Sequence, residues 1–171
     1  MRIYIVGFMG SGKSVLGEKI AAALKVPFVD LDKKIEKQEI KTVTEIFQRR
    51  GENYFRKVEA ELLRKTKRHT DAVIATGGGA PCFHDNMHWM NENGITVYLS
   101  AKAAELYHRL LTDRENRPLI SLLSDIGLLE FIMGTLGSRE RFYAMAQVKL
   151  NAKTATAKQA IEAIKKAKKK R

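Results

Sequence analysis

The segment GFMGSGKS, Gly7 to Ser14, narrows the possible folds more than any other part of the chain. It satisfies the spacing G-x-x-x-x-G-K-[S/T], follows the apolar run RIYIVG and leads into a helical pattern that starts at Lys13. Glycines let the backbone curl so that consecutive amides point inward at a helix N-terminus, which makes a nest for anions. In that setting Lys13 reaches the β- and γ-phosphates of a nucleoside triphosphate, and the Ser14 hydroxyl is placed to ligate Mg²⁺. The motif therefore demands a strand, a loop and a helix in that order. It leaves open where a γ-phosphoryl group would go.

The rest of the chain continues the same alternation. Strand-length apolar runs recur at PFVDLD, AVIATG and ITVYLS, with a weaker one at QVKLN. Helical patterns lie between them. One begins near the capping-box sequence TVTE, Thr42 to Glu45, and another covers about residues 53–68. Others follow Asp85 and Ser100, and a long one covers 125–146 despite Gly127, Gly134 and Gly137. Such alternation with short links predicts a parallel sheet covered on both faces. At 171 residues, without an internal repeat or linker, the chain reads as one domain with a core of its own.

Bulk properties exclude several classes. No apolar run reaches the roughly 18 residues needed to span a bilayer, and MRIYIVGF is too short for a signal peptide. A single cysteine, Cys82, rules out an internal disulfide and suits a reducing cytoplasm. The net charge of +12 is concentrated at one end, because residues 149–171 hold nine Lys or Arg against Glu162 alone. Ile161, Ile164 and Ala167 form a thin apolar stripe there, so the tail reads as a weakly docked, solvated helix. No aromatic residue lies beyond Tyr143 to stack on bases, which argues against nucleic acid.

Chemistry beyond the phosphate loop is expected at the carboxyl ends of the strands, where ligands of open parallel sheets bind. Asp30 and Asp32 in VPFVDLDKKIE are two apart, so on an extended strand both side chains point the same way and repel. A magnesium ion between Ser14 and the phosphates would relieve one of them, through water, leaving the other to orient an acceptor hydroxyl and take its proton. A helix cap is the competing use for one of the pair. The run Gly77 to Gly79 allows close backbone approach to a ligand or simply turns the chain. Arg56, Arg139 and Arg141 offer planar forks suited to a carboxylate or phosphate. The charged connection TDRENRPLISLLSD, Thr112 to Asp125, with Arg114 and Arg117, has the length of a lid. His84 and His88 lack a third ligand and read as exposed, whereas Trp89 and Met90 read as packing residues.

Taken in order, GFMGSGKS, FVDLDKKIE, FRKVE, ATGGGAP, RPL and SRERFY make the chain similar to the shikimate kinase family over about residues 2–152. The resemblance implies an α/β, three-layer α/β/α P-loop kinase fold with a five-stranded parallel sheet. It further implies ATP with Mg²⁺, and phosphorylation of the 3-hydroxyl of shikimate in aromatic amino-acid synthesis. The single domain would comprise a core (1–30, 70–111 and 125–171), a substrate-binding helical segment (about 31–66) and a lid (about 112–124). By the same resemblance Gly10, Ser11, Gly12, Lys13, Ser14 and Val15 bind ATP, with Ser14 on the metal and Asp30 assisting through water. Asp32 binds the acceptor hydroxyls as base, Arg56 and Arg139 hold the acceptor carboxylate, and Gly77, Gly78 and Gly79 border it. Arg117 belongs to the phosphates with Lys13, and Arg109 lies near adenine. The expectation is a cytoplasmic monomer without membrane or nucleic-acid partners. Lysine in the fifth strand leaves the adenine-side contacts at Asn151 to Lys153 open. A gluconate or nucleotide kinase of the same fold fits less well, since Ser14 directly follows Lys13 and the two arginines are present. A nucleotide-dependent binding protein would need the loop but not Asp32.

Overall fold

The structure, a computed structural model, describes residues 1–114 and 120–169. Five parallel strands, β1 (Arg2–Val6), β2 (Phe28–Asp30), β3 (Ala72–Ala75), β4 (Ile95–Ser100) and β5 (Val148–Asn151), form one sheet in the order β2-β3-β1-β4-β5. Register is set by pairs such as Ile3 with Val73 and with Ile95, and Val29 with Ile74. Side chains alternate across the pleat. Ile3, Ile5, Val73, Val97 and Leu99 point to one face, while Tyr4, Val6, Ile74 and Tyr98 point to the other.

Helices cover both faces, as buried parallel strands require. α1 (Lys13–Leu24) and α7 (Ala157–Lys169) pack on the first face through Leu16, Ile20, Ala160 and Ile164. α3 (Val43–Lys65) and α4 (Asn86–Asn93) cover the second through Leu62, Leu63, Met87 and Met90. A smaller apolar cluster around Phe8 joins α5 (Ala103–Thr112) to α6 (Asp125–Tyr143) beside the phosphate loop. α1 leaves β1 on one face and α4 follows β3 on the other. The crevice of the sheet therefore opens between β1 and β3, at their carboxyl ends.

Several sequence expectations are corrected here. Asp30 and Asp32 do not share a strand face: β2 ends at Asp30, and Asp32 already lies in the first turn of α2 (Leu31–Glu39). Asp30 caps that helix, its Oδ1 accepting from the Lys33 amide at 3.2 Å. The two helices expected after Thr42 run on as one element, interrupted at Gly51, whose φ of 77° and ψ of 170° break the spiral. The capping box is present, with Thr42 Oγ1 accepting from the Glu45 amide at 3.2 Å and Glu45 Oε2 from the Thr42 amide at 2.8 Å. α6 keeps its glycines and ends at Tyr143 rather than 146, held by buried Leu128, Ile132 and Tyr143 on its inner side. The terminal helix is not weakly docked. Ala160 and Ile164 are fully buried, with Ile161, Ala163 and Ala167 packed around them, and a ridge of lysines with Gln159 and Glu162 faces solvent. His84 and His88 are exposed, Met90 is buried and Trp89 is half-buried, as expected. Among the described residues no helix is long and apolar enough to cross a membrane.

Candidate active site

The phosphate loop leaves β1 and turns into α1 through Gly10 and Gly12, whose φ values of 77° and 94° are costly for any residue with a β-carbon. Gly12 is the N-cap, so the first amides of α1 open toward the crevice. Lys13 folds across the loop, its ammonium donating to the Phe8 carbonyl at 2.9 Å. Ser14 Oγ donates to Asp30 Oδ2 at 2.8 Å, which puts a hydroxyl and a carboxylate side by side at the sheet edge. Ser11 turns its hydroxyl inward, where it is sealed from solvent without a hydrogen-bond partner among the described residues. Any contact it makes with a phosphate is thus left to its backbone. Val15 is exposed at the rim. From α5, Arg109 Nη1 donates to the carbonyls of Gly10 and Ser11, both at 3.2 Å. Gly10, Gly12, Lys13, Ser14, Val15, Asp30 and Arg109, with Asp32 and Gly78, line a cleft of about 350 Å³.

A larger hollow of about 940 Å³ adjoins it, and Met9, Asp30, Asp32 and Gly78 border both. Its walls are Arg56 and Glu59 of α3, Arg139 of α6 and the run Gly77 to Gly79. A β-carbon would clash at Gly77 and Gly79 and fit only tightly at Gly78. A β-carbon on Gly77 would stand 2.6 Å from Glu59 Oε1 and 2.8 Å from Asp32 Oδ1. One on Gly78 would approach the Met9 amide to 3.2 Å and Arg139 Nη1 to 3.6 Å, and one on Gly79 would press on Arg56 Nη2 at 2.5 Å. The run thus packs closely against charged side chains while lining the hollow.

Electrostatics differ across this hollow. Burial raises the Asp32 carboxyl above its ordinary range; Lys13 opposes that shift, Asp30 adds to it and Arg56 opposes it. A carboxylate made more basic in this way is suited to accepting a proton. Arg56 is buried against Phe83, its guanidinium carbon 4.5 Å from the ring centre. Its Nη1 donates to Glu59 Oε2 at 2.8 Å, and Nε and Nη2 donate to Glu52 Oε1 at 3.0 Å. Arg139 stands over Phe8 at 5.8 Å, whereas Arg141 is exposed and stacks on Phe142.

Glu59 and Tyr143 received no role from the sequence. Glu59 is fully buried, three residues after Arg56 and four after Phe55, so it falls on the apolar face of its helix. A carboxylate in that register is the signal that could have found it. Tyr143 donates its hydroxyl to the Gly78 carbonyl at 2.6 Å and stacks on Tyr98, which anchors the glycine run to α6. Burial raises its phenol well above the usual range, which keeps the donor proton in place. Arg117 lies outside the described residues. Asn151 Oδ1 accepts from the Lys153 amide at 2.8 Å, and Lys149 pairs with Glu140 at 3.5 Å. The described residues contain no group of three or more His, Cys, Asp or Glu able to hold a metal.

Comparison with known proteins agrees with this geometry. A family model described as shikimate kinase matches residues 9–168. The shikimate kinase of Bacteroides thetaiotaomicron is 44% identical over 152 residues, covering 89% of this chain and 87% of that one. A crystal structure of shikimate kinase from the same organism superposes with a TM-score of 0.87 at 40% identity, over 99% of this chain and 97% of the other. A shikimate kinase from Acinetobacter baumannii, solved in complex with shikimate, gives a TM-score of 0.83 at 31% identity, over 96% and 90% of the two chains. Matched by the family model over nearly its whole length, and by relatives this similar in sequence and fold, the chain belongs to the shikimate kinase family, ATP-dependent kinases of a small molecule.

Proposed function

We propose that the chain moves the γ-phosphoryl group of ATP to the 3-hydroxyl of shikimate, giving shikimate 3-phosphate and ADP, with the roles divided between the two adjoining hollows. The loop amides of Gly10 to Val15 and the Lys13 ammonium hold the phosphates, and Arg109 borders the adenine side. Asp32 binds the acceptor hydroxyl, orients it toward the γ-phosphorus and takes its proton as the new P–O bond forms. Arg56 and Arg139 clamp the acceptor carboxylate, because a guanidinium matches a carboxylate with two parallel N–H donors. Gly77 to Gly79 let the acceptor approach the backbone. Arg117 acts from the lid, about 112–124, on the phosphates, while 31–66 serves as the acceptor-binding segment of a single domain.

Magnesium, when bound, offsets phosphate charge; Ser14, and Asp30 through water, would hold it. The fit rests on the donors themselves, a hydroxyl and a carboxylate oxygen 2.8 Å apart at the mouth of the loop, both hard oxygen ligands of the kind magnesium takes. We further propose that the chain works as a cytoplasmic monomer, its basic tail playing no part in catalysis.

One observation carries the reading: a half-buried carboxylate, Asp32, held above its ordinary range by desolvation, stands where the phosphate-loop cleft meets a hollow walled by two arginines. A coupled assay of ADP release tests it with shikimate, gluconate and nucleoside monophosphates as acceptors. Turnover dependent on shikimate is expected. Nucleotide binding without shikimate-dependent turnover would overturn the reading.

A further inference from the structure

Two carboxylates already share the guanidinium that would clamp the acceptor. Glu52 takes Nε and Nη2 of Arg56 at 3.0 Å and Glu59 takes Nη1 at 2.8 Å. The two are placed very differently. The Glu52 side chain is 51% exposed and can swing into water, whereas that of Glu59 is 0% exposed and has nowhere to go. Glu59 also has an unused oxygen, since Oε1 is buried without a hydrogen-bond partner among the described residues. Asp32 Oδ1 and Glu59 Oε1 both lie within 2.8 Å of one point, the place a β-carbon on Gly77 would occupy. The two oxygens therefore stand no more than about 5.4 Å apart.

A third carboxylate, arriving with the acceptor, would add negative charge next to a carboxylate that is fully buried. We propose that capture of the acceptor carboxylate by Arg56 is coupled to uptake of one proton by Glu59. The proton comes from water or buffer and lands on Oε1. This inference rests on the reading of Arg56 and Arg139 as the acceptor clamp.

The groups that face Glu59 are Arg56 and Glu52 on its own helix, Asp32 on α2, Arg139 on α6 and, in the turn after β3, Cys82. Burial raises the Glu59 carboxyl to about 7; Arg56 opposes the rise, Asp32 adds to it and Arg139 opposes it. The free protein thus holds this site part-protonated near neutral pH, and another anion beside it raises its affinity for the proton further.

Titration calorimetry of shikimate into nucleotide-free protein, at about pH 7.5 in two buffers of different ionisation enthalpy, reads the coupling directly. The expected result is a buffer-dependent heat equivalent to an uptake of roughly half a proton or more, with Kd rising up to about tenfold per pH unit above neutrality. Glu59→Gln, neutral at every pH, should bind shikimate with heat that no longer depends on buffer. Glu52→Gln should keep the uptake. Shikimate bound by the wild-type protein with buffer-independent heat, or with proton release, would overturn the coupling. Uptake that persists in Glu59→Gln or vanishes in Glu52→Gln would overturn its assignment to Glu59. Absence of shikimate binding and turnover together would remove the acceptor-site reading itself, a different failure from binding without uptake.

Discussion

On the proposed reading, the nucleotide side of the cleft is made chiefly of consecutive residues, Gly7 to Ser14, whose backbone amides and one lysine would do the binding, with Arg109 added from α5. The acceptor side is assembled from Asp32, Arg56, Glu59, Gly77 to Gly79 and Arg139, which four separate segments bring together. The first is a property of local backbone geometry. The second is a balance of buried side-chain charges, and its members fail together or compensate. Perturbing one side should therefore leave the other largely intact, and that independence can be tested.

The largest effect is expected from Asp32→Asn. Loss of a positioned base should lower kcat roughly 10²–10⁴-fold in steady-state kinetics while ATP affinity, measured by nucleotide titration, changes little. A matching loss in ATP affinity would break the division between the two sides. Next come Arg56→Ala and Arg139→Ala, each expected to weaken shikimate use by about 2–5 kcal/mol, the cost of removing one partner of a buried charge pair. Equal losses for both ligands would place the acceptor elsewhere.

A pH effect of about 3 kcal/mol should follow from Glu59. Its carboxyl stands at about 7 in the folded chain against 4.5 as a model value, so the folded state holds more protons between those pH values. Stability contributed by this group is present below the lower value, falls as pH rises through the window and stays lost above about 7. Denaturant unfolding of the wild type and Glu59→Gln at several pH values should differ in slope with that sign. A smaller effect, about 1 kcal/mol on the acceptor KM, is expected for Tyr143→Phe, which removes the 2.6 Å bond to the Gly78 carbonyl. The smallest is at the tail. Replacing Lys165, Lys166, Lys168 and Lys169 with Gln should alter stability by no more than about 0.5 kcal/mol and leave kcat unchanged.

Legibility followed the same divide. The phosphate loop, the five strands and the helix after Lys13 were all readable, because each carries a local residue pattern within a few positions. VPFVDLDKKIE was readable in composition but not in geometry: alternation predicted two acids on one strand face, yet the strand stops at Asp30 and a helix begins at once. The change of period from two to 3.6 within one residue separates the acids. Asp30 turns to Ser14 and its own helix cap, while Asp32 turns to the acceptor hollow. The terminal helix was readable as a helix but not as a docked one, because its few apolar residues gain their worth only from α1 and the sheet. Glu59 stood inside a quoted motif, FRKVE, with no signal of burial unless the helical register of Phe55, Val58 and Leu62 was carried through it.

The sequence by itself determined the strand and helix segments, the anion nest and the family, since apolar periodicity and glycine placement act through short-range sterics. Only the tertiary structure decided how the acceptor side is charged. Helix α3 carries Arg56 and Glu59 under the glycine run, and α2 brings Asp32 beside them. Desolvation, which depends on everything packed around a group, then set which carboxylate is basic, which is held on the guanidinium and which is free to leave.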